Sequence, residues 1–204
     1  RFYKQALATE IAGFKAPLIS VNELGIDTEI DFFRTAGVLD VAKETGAELC
    51  YFDLEETATL RSPVGTFLPE VPVVAPVVVA DRVVSLPKFK THNDMVITGA
   101  IKNLFGIIPT PVRHTFHSTS KLAELMGHML VDVFSVVSPP PLVVCDAVMG
   151  MEGDGPLGGP PRPMGLIMAS CDCVAHDAVM ADLMGLDPME VPVVKAAHEA
   201  GLGQ

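Results

Sequence analysis

No apolar run among the 204 residues is long enough to cross a bilayer: the longest, Val71 to Ala80, spans ten residues and carries Pro72 and Pro76. No secretory leader is visible. The chain opens without an initiator Met, inside the helix-like pattern Arg1-Phe2-Tyr3-Lys4-Gln5-Ala6-Leu7. That opening predicts a native N-terminus further upstream, so the missing leader excludes little. Cysteine is scarce: Cys50, Cys145, Cys171 and Cys173 show neither the spacing of a zinc pair nor the thiolate run that holds an iron–sulfur cluster. They read as reduced, mostly buried thiols of a cytoplasmic protein. Basic residues are few as well, 14 Lys and Arg against 25 Asp and Glu for a net charge of −11. That balance excludes nonspecific nucleic-acid binding over the whole surface.

What is present is apolar. Hydrophobic residues make up 49% of the chain, charged residues 19%, and the mean hydropathy is +0.40, values that exclude disorder. The length predicts a single domain over residues 1–204 with a core that needs no disulfide or structural metal. Charge is unevenly spread. Arg82, Lys88, Lys90, Lys102, Arg113 and Lys121 fall between residues 82 and 121 with Asp94 as the sole acid, and His92, His114 and His117 share the window.

Periodicity predicts a helix over 31–45 stopped by Gly46, then a strand at 48–52. Pro63, Pro69, Pro72 and Pro76 predict an irregular stretch or an edge over 61–76. A short strand follows at 83–86, a helix at 97–105, and an amphipathic helix at 121–137 with Leu122, Leu125, Met129, Val133 and Val136 on one stripe and Ser120 as a cap. Strands are predicted at 142–145 and 166–169, and helices from Asp172 or Cys173 to about Gly185 and from Val191 to Glu199. Alternating helices and continuous apolar strands imply an α/β fold: a largely parallel or mixed sheet with helices on both faces. The glycines and prolines of 150–161 predict a long loop over the C-terminal edge of the strands.

In such a sheet ligands bind outside the carboxyl ends of the strands. Lys88, Asp146, and Ser170 with Asp172 each follow a predicted strand, so Lys88, Asp146 and Asp172 are expected to converge. Lys88 and Lys90 in extended backbone lie roughly 7 Å apart on one side. At that separation they repel by about 0.6 kcal/mol in water and about 2.4 kcal/mol at an effective dielectric of 20. A pair facing a cleft therefore wants an anion; a solvated loop tolerates it. Lys102 and Asn103 sit among apolar residues, where each needs a partner: an anion, a carboxylate such as Asp146, or helix-end carbonyls. Arg113 adds another cation.

Gly153 and Gly155 allow backbone amides to approach a phosphate or carboxylate, but no Lys-Ser/Thr follows as in a Walker loop. Asp146, Glu152, Asp154 and Asp172 are candidate oxygen ligands for a divalent metal. His114 and His117, at i and i+3, suit ligation only on a helix, which Pro109 and Pro111 weaken. His92, His114, His117 and Lys102 are the candidate catalytic groups, the histidines as general acid or base.

Leu86-Pro87-Lys88-Phe89-Lys90-Thr91-His92, Thr98-Gly99-Ala100-Ile101-Lys102-Asn103-Leu104-Phe105-Gly106, and Asp146-Ala147-Val148-Met149-Gly150-Met151-Glu152-Gly153 stand in that order. With Gly155-Pro156, Gly159, Ala169-Ser170, Asp172, Ala175 and Asp177 the set resembles the family called domain of unknown function 362, over about residues 30–203. The resemblance implies a prokaryotic cytosolic α/β protein, and many such proteins look like iron–sulfur proteins because they carry a ferredoxin-type segment. This chain has no such cysteine run, and Cys171 and Cys173 stand where other residues are expected, so no iron–sulfur cluster is expected within it. Three readings follow: an enzyme acting on a small anionic ligand, a redox accessory module docking a ferredoxin-like partner, and a noncatalytic ligand-binding domain. No nucleic acid and no membrane are expected as partners.

Overall fold

The computed structural model describes residues 18–19, 34, 37–50, 52, 55–119, 123–138, 140–156 and 158–203, with the backbone alone at 18–19 and 117–119. The pattern at 1–7, most of 31–36, the Ser120 cap, Lys121 and Leu122 lie outside them. Contacts divide the chain into two units, 1–56 and 57–204.

In the first unit β1 (Leu18–Ile19) pairs in parallel with β2 (Glu48–Leu49). Helix α1 (Val38–Thr45) buries Val38, Val41 and Ala42 and ends at Gly46, whose φ of 72° is the left-handed stop that glycine supplies without a Cβ penalty.

The second unit begins with an antiparallel ribbon, β3 (Thr57–Arg61) and β4 (Glu70–Val74), so that of the two expectations for 61–76, an irregular stretch or an edge, the edge holds at β4. Pro72 is tolerated within β4, opposite Thr59, because a two-stranded ribbon leaves each strand one free edge for a residue without an N–H. A short helix α2 (Ala75–Val79) leads to β5 (Val84–Ser85). Next come β6 (Lys88–His92) and β7 (Val96–Thr98). The helix expected at 97–105 is therefore shortened. Its β-branched opening joins the sheet, and α3 (Ala100–Asn103) starts only after Gly99, closing in a 3-10 turn over Leu104–Ile107. Helix α4 (Thr110–Thr119) accommodates Pro111 in its first turn, where no intrahelical N–H is lost.

Helix α5 (Ala123–Ser135) buries Met126, Met129, Leu130 and Val133, each contributing about 1.5–3 kcal/mol by leaving water. It packs against α7 (Pro192–Glu199). The remaining elements are β8 (Leu142–Met151), β9 (Pro161–Ser170) and α6 (Cys173–Leu183).

The main sheet of five strands is mixed: β5 and β6 run parallel to β8, and β7 and β9 run antiparallel to their neighbours. Helices flank it, α6 lying along β8 and β9. Two expectations are corrected here. The strand at 142–145 continues to Met151, carrying Asp146 within it. Gly150 belongs to the strand because Phe89 packs on it so closely that an added Cβ would stand 3.0 Å from the ring. The strand at 166–169 is part of a hairpin with β8, so the Gly/Pro stretch narrows to the connection 152–160.

Candidate functional site

Strand parity sorts the candidate residues. Along β8, Val143, Cys145 and Ala147 are buried, whereas Val144, Asp146 and Val148 are half-buried on the opposite face. β6 lies in register with Lys88 opposite Asp146, and directly opposed residues share a face. Lys88 Nζ therefore reaches Asp146 Oδ2 at 2.6 Å, with side-chain exposures of 28% and 20%. The other carboxylate oxygen, Oδ1, accepts from the Val148 amide at 3.0 Å. Asp146 is thus held by Lys88 and by the backbone of its own strand.

The end of β6 is bound to the 152–160 connection. Lys90 Nζ donates to the Pro156 carbonyl at 3.1 Å, Thr91 Oγ1 to the Gly153 carbonyl at 2.8 Å, and the Asn93 amide to the Gly155 carbonyl at 3.3 Å. A Cβ at Gly155 would overlap the Thr91 carbonyl, and one at Gly159 the Glu152 carbonyl, so the connection closes on β6 only because both residues lack side chains. His92 is buried, and its Nδ1 accepts from the Asp94 amide at 3.1 Å. A ring nitrogen that accepts carries no proton, which places the proton of the neutral ring on Nε2.

The other candidates are elsewhere. Asn103 Nδ2 donates to Ser85 Oγ at 3.1 Å, and Ser85 lies opposite Val143 on the buried face, away from the face of Lys88 and Asp146. Lys102 precedes it, half-buried on α3. Arg113 is buried on α4, where its guanidinium donates to Thr110 Oγ1; His114 is exposed. His114 and His117 do share a helix, and the His117 side chain is outside the described residues.

The expected convergence of Asp172 with Lys88 and Asp146 does not occur. β9 runs back along β8, so Ser170 stands opposite Val143 at the strand's beginning. Asp172 Oδ1 caps α6, accepting from the Val174 and Ala175 amides at 2.8 and 2.9 Å, and the Ser170 hydroxyl accepts from the Asp172 amide at 3.0 Å. Glu152 lies 3.8 Å from Arg162 in an exposed pair, and Asp154 is exposed in the connection. Among the described residues no group of three or more His, Cys, Asp or Glu is placed to hold a metal ion.

Two buried carboxylates carry roles that residue type alone did not reveal. Asp177, fully buried on α6, accepts from the Ala100 and Ile101 amides at 2.6 and 3.0 Å and faces His176 Nδ1 at 2.8 Å. It thereby satisfies the orphan donors at the start of α3. A Cβ at Gly99 would overlap this carboxylate. Asp132, fully buried on α5, accepts from Ser62 Oγ and from the Thr66, Phe67 and Leu68 amides at 2.7–3.1 Å, holding the β3–β4 turn. The available signal was position: each is an acid flanked by apolar residues within a helix, where burial requires a partner. His176 Nε2 and Thr98 Oγ1 are buried without a hydrogen-bond partner among the described residues.

These features define a mixed-sheet α/β protein with a lysine–aspartate pair mid-sheet and a glycine-dependent hairpin closing over the neighbouring strand. The chain belongs to the family described as Domain of unknown function (DUF362), whose model matches residues 6–182. It is similar to the thylakoid-associated protein sll1697 of Synechocystis sp., 40% identical over 124 residues, which is 60% of this chain and 38% of that relative's length. No solved structure matches it. No helix among the described residues is long and apolar enough to cross a membrane.

Proposed function

We propose that the chain binds a small phosphate- or carboxylate-bearing ligand on the face of the sheet that carries Lys88 and Lys90, beside the 152–160 connection. The observation that carries this reading is the strand itself. β6 sets two ammonium groups two residues apart, holding one with Asp146 and the other with a backbone carbonyl. An anion bridging them relieves their repulsion and gains charge-assisted hydrogen bonds, which are about twice as strong as neutral ones. The glycines of the connection bring backbone close to the same strand end, as an anion cradle requires. His92 lies on that strand and supplies an imidazole, the side chain suited to proton transfer near neutrality; an enzyme built here would use it for that step.

Calorimetric titration with inorganic phosphate, sulfate and a small dicarboxylate tests the reading, with Mg²⁺ present and absent. At least one anion should bind the wild-type chain, and Lys90→Ala should weaken it about tenfold or more, the loss of one charged hydrogen bond. Lys102→Ala, on α3 rather than on β6, should change it far less. Absence of binding by all three anions, or equal binding by Lys90→Ala, overturns the proposal.

A further inference from the structure

One hydroxyl on the lysine-bearing face of the sheet is left over. Thr98, the last residue of β7, is 7% exposed, and its Oγ1 is buried with no hydrogen-bond partner among the described residues. A hydroxyl in that state has given up its bonds to water and regained none, so it destabilises the free chain, whereas an apolar group of the same shape would not. Register says where this hydroxyl lies. Thr98 stands directly opposite Lys90 in the antiparallel β6–β7 pair, and opposed residues share a face with their Cβ atoms about 5 Å apart. Lys88, two residues back along β6, shares that face roughly 7 Å away. Two ammonium groups and one hydroxyl, all able to donate, therefore surround a single patch. Asp146, bonded to Lys88 at 2.6 Å, repels an anion from one end of the patch and displaces it toward Lys90 and Thr98.

We propose that Thr98 Oγ1 is the third donor of the anion site and makes it selective for a phosphoryl group over a carboxylate; the inference rests on the reading of Lys88 and Lys90 given above. A carboxylate offers two oxygens in one plane, and two ammonium groups occupy both. A phosphoryl group offers three oxygens at tetrahedral angles, which leaves one for a hydroxyl beside Lys90. In the free chain Lys90 Nζ donates to the Pro156 carbonyl at 3.1 Å, and the Thr98 hydroxyl is closed off from water. As the lysine turns from that carbonyl to the anion, the residue opposite it is uncovered, and Thr98 exchanges an orphaned hydroxyl for a charge-assisted hydrogen bond. The destabilisation carried by the free chain is thereby removed on binding, so it adds to the affinity for a ligand with a third oxygen and not for one without.

Thr98→Val tests this on the full chain because two readouts should move in opposite directions. Urea unfolding without ligand should show a raised midpoint, since no orphaned hydroxyl remains. Calorimetric titration should show inorganic phosphate bound about tenfold more weakly than by the wild-type chain, with a small dicarboxylate unaffected. Thr98→Ser keeps the hydroxyl and should restore most of the phosphate affinity. A lowered midpoint in Thr98→Val, an unchanged phosphate affinity, an equal loss of phosphate and dicarboxylate, or a wild-type preference for the dicarboxylate each overturns this inference and leaves the Lys90→Ala result standing. Failure of every anion to bind the wild-type chain overturns the anion site itself, and this inference with it.

Discussion

Cys145 is fully buried on β8 and Cys173 opens α6 with 1% exposure; in both, burial first and the carboxylate of Asp177 second push the thiol up from the ordinary 9.0 to about 12. Burial does the same at Cys50, where the thiol also donates to Glu55 at 3.2 Å. The thiolate is the nucleophile, so these three are inert near neutrality, whereas Cys171 is exposed. Iodoacetamide at neutral pH should place one adduct per native chain, on Cys171, and four after unfolding, read by mass spectrometry. Rapid native labelling of Cys145 or Cys173 would contradict the burial. The same thiols make stability depend on pH. Between about 9 and 12 the native chain holds protons that the unfolded chain has released. Stability is therefore complete below 9 and falls as pH rises through that window. Cys145→Ala should flatten the decline in urea titrations made across it.

At the scale of elements, α3 is too short to hold itself: four residues make almost no intrahelical bond, and nucleating a helix is unfavourable. Asp177 supplies from α6 what α3 lacks, and Gly99 leaves the room. Asp177→Ala strands two buried amides and should cost about 3 kcal/mol. Gly99→Ala should cost about 1–3 kcal/mol by displacing the carboxylate. Because both act on one contact, the double variant should cost less than the sum. Urea unfolding measures all three, and effects below about 0.5 kcal/mol, the range of ordinary surface substitutions, would remove Asp177 from this role.

The same elements show what could be read beforehand. The stop at Gly46, the helix opening at Asp172 or Cys173 and the helix at 191–199 were legible because each rests on a local signal. The mixed α/β class followed from apolar runs. Strand direction was not legible: nothing local states that the chain after Pro161 returns along β8, and that reversal separates Asp172 from Asp146. Lys88 and Asp146 were both found as residues, but their pairing depends on a register, Lys88 opposite Asp146, that only the sheet defines. Lys102 and Lys88 were grouped by sequence proximity, and the structure sets one on α3 and the other on β6.

For the whole molecule, the contacts define two units, 1–56 and 57–204. The second contains the five-stranded sheet, the buried rows of α5 and α7, and both buried carboxylates with their partners. Its cooperativity follows from that sharing: Asp177 joins α6 to α3, and Asp132 joins α5 to the β3–β4 turn, so no part opens without exposing charge or amides that water must then satisfy. Among the described residues the first unit has the β1–β2 pairing and α1. Proteases cut locally opened forms, and segments tied by buried hydrogen bonds open least. Limited proteolysis of the full chain should therefore leave a resistant product that retains α3, α5, α6 and the β8–β9 hairpin, identified by its mass. Asp132→Ala should shorten the lifetime of that product by freeing the β3–β4 turn, whereas Lys90→Ala, whose side chain bonds an exposed carbonyl, should leave it unchanged. First cuts inside the β8–β9 hairpin would show that the buried carboxylates do not hold this part of the chain closed.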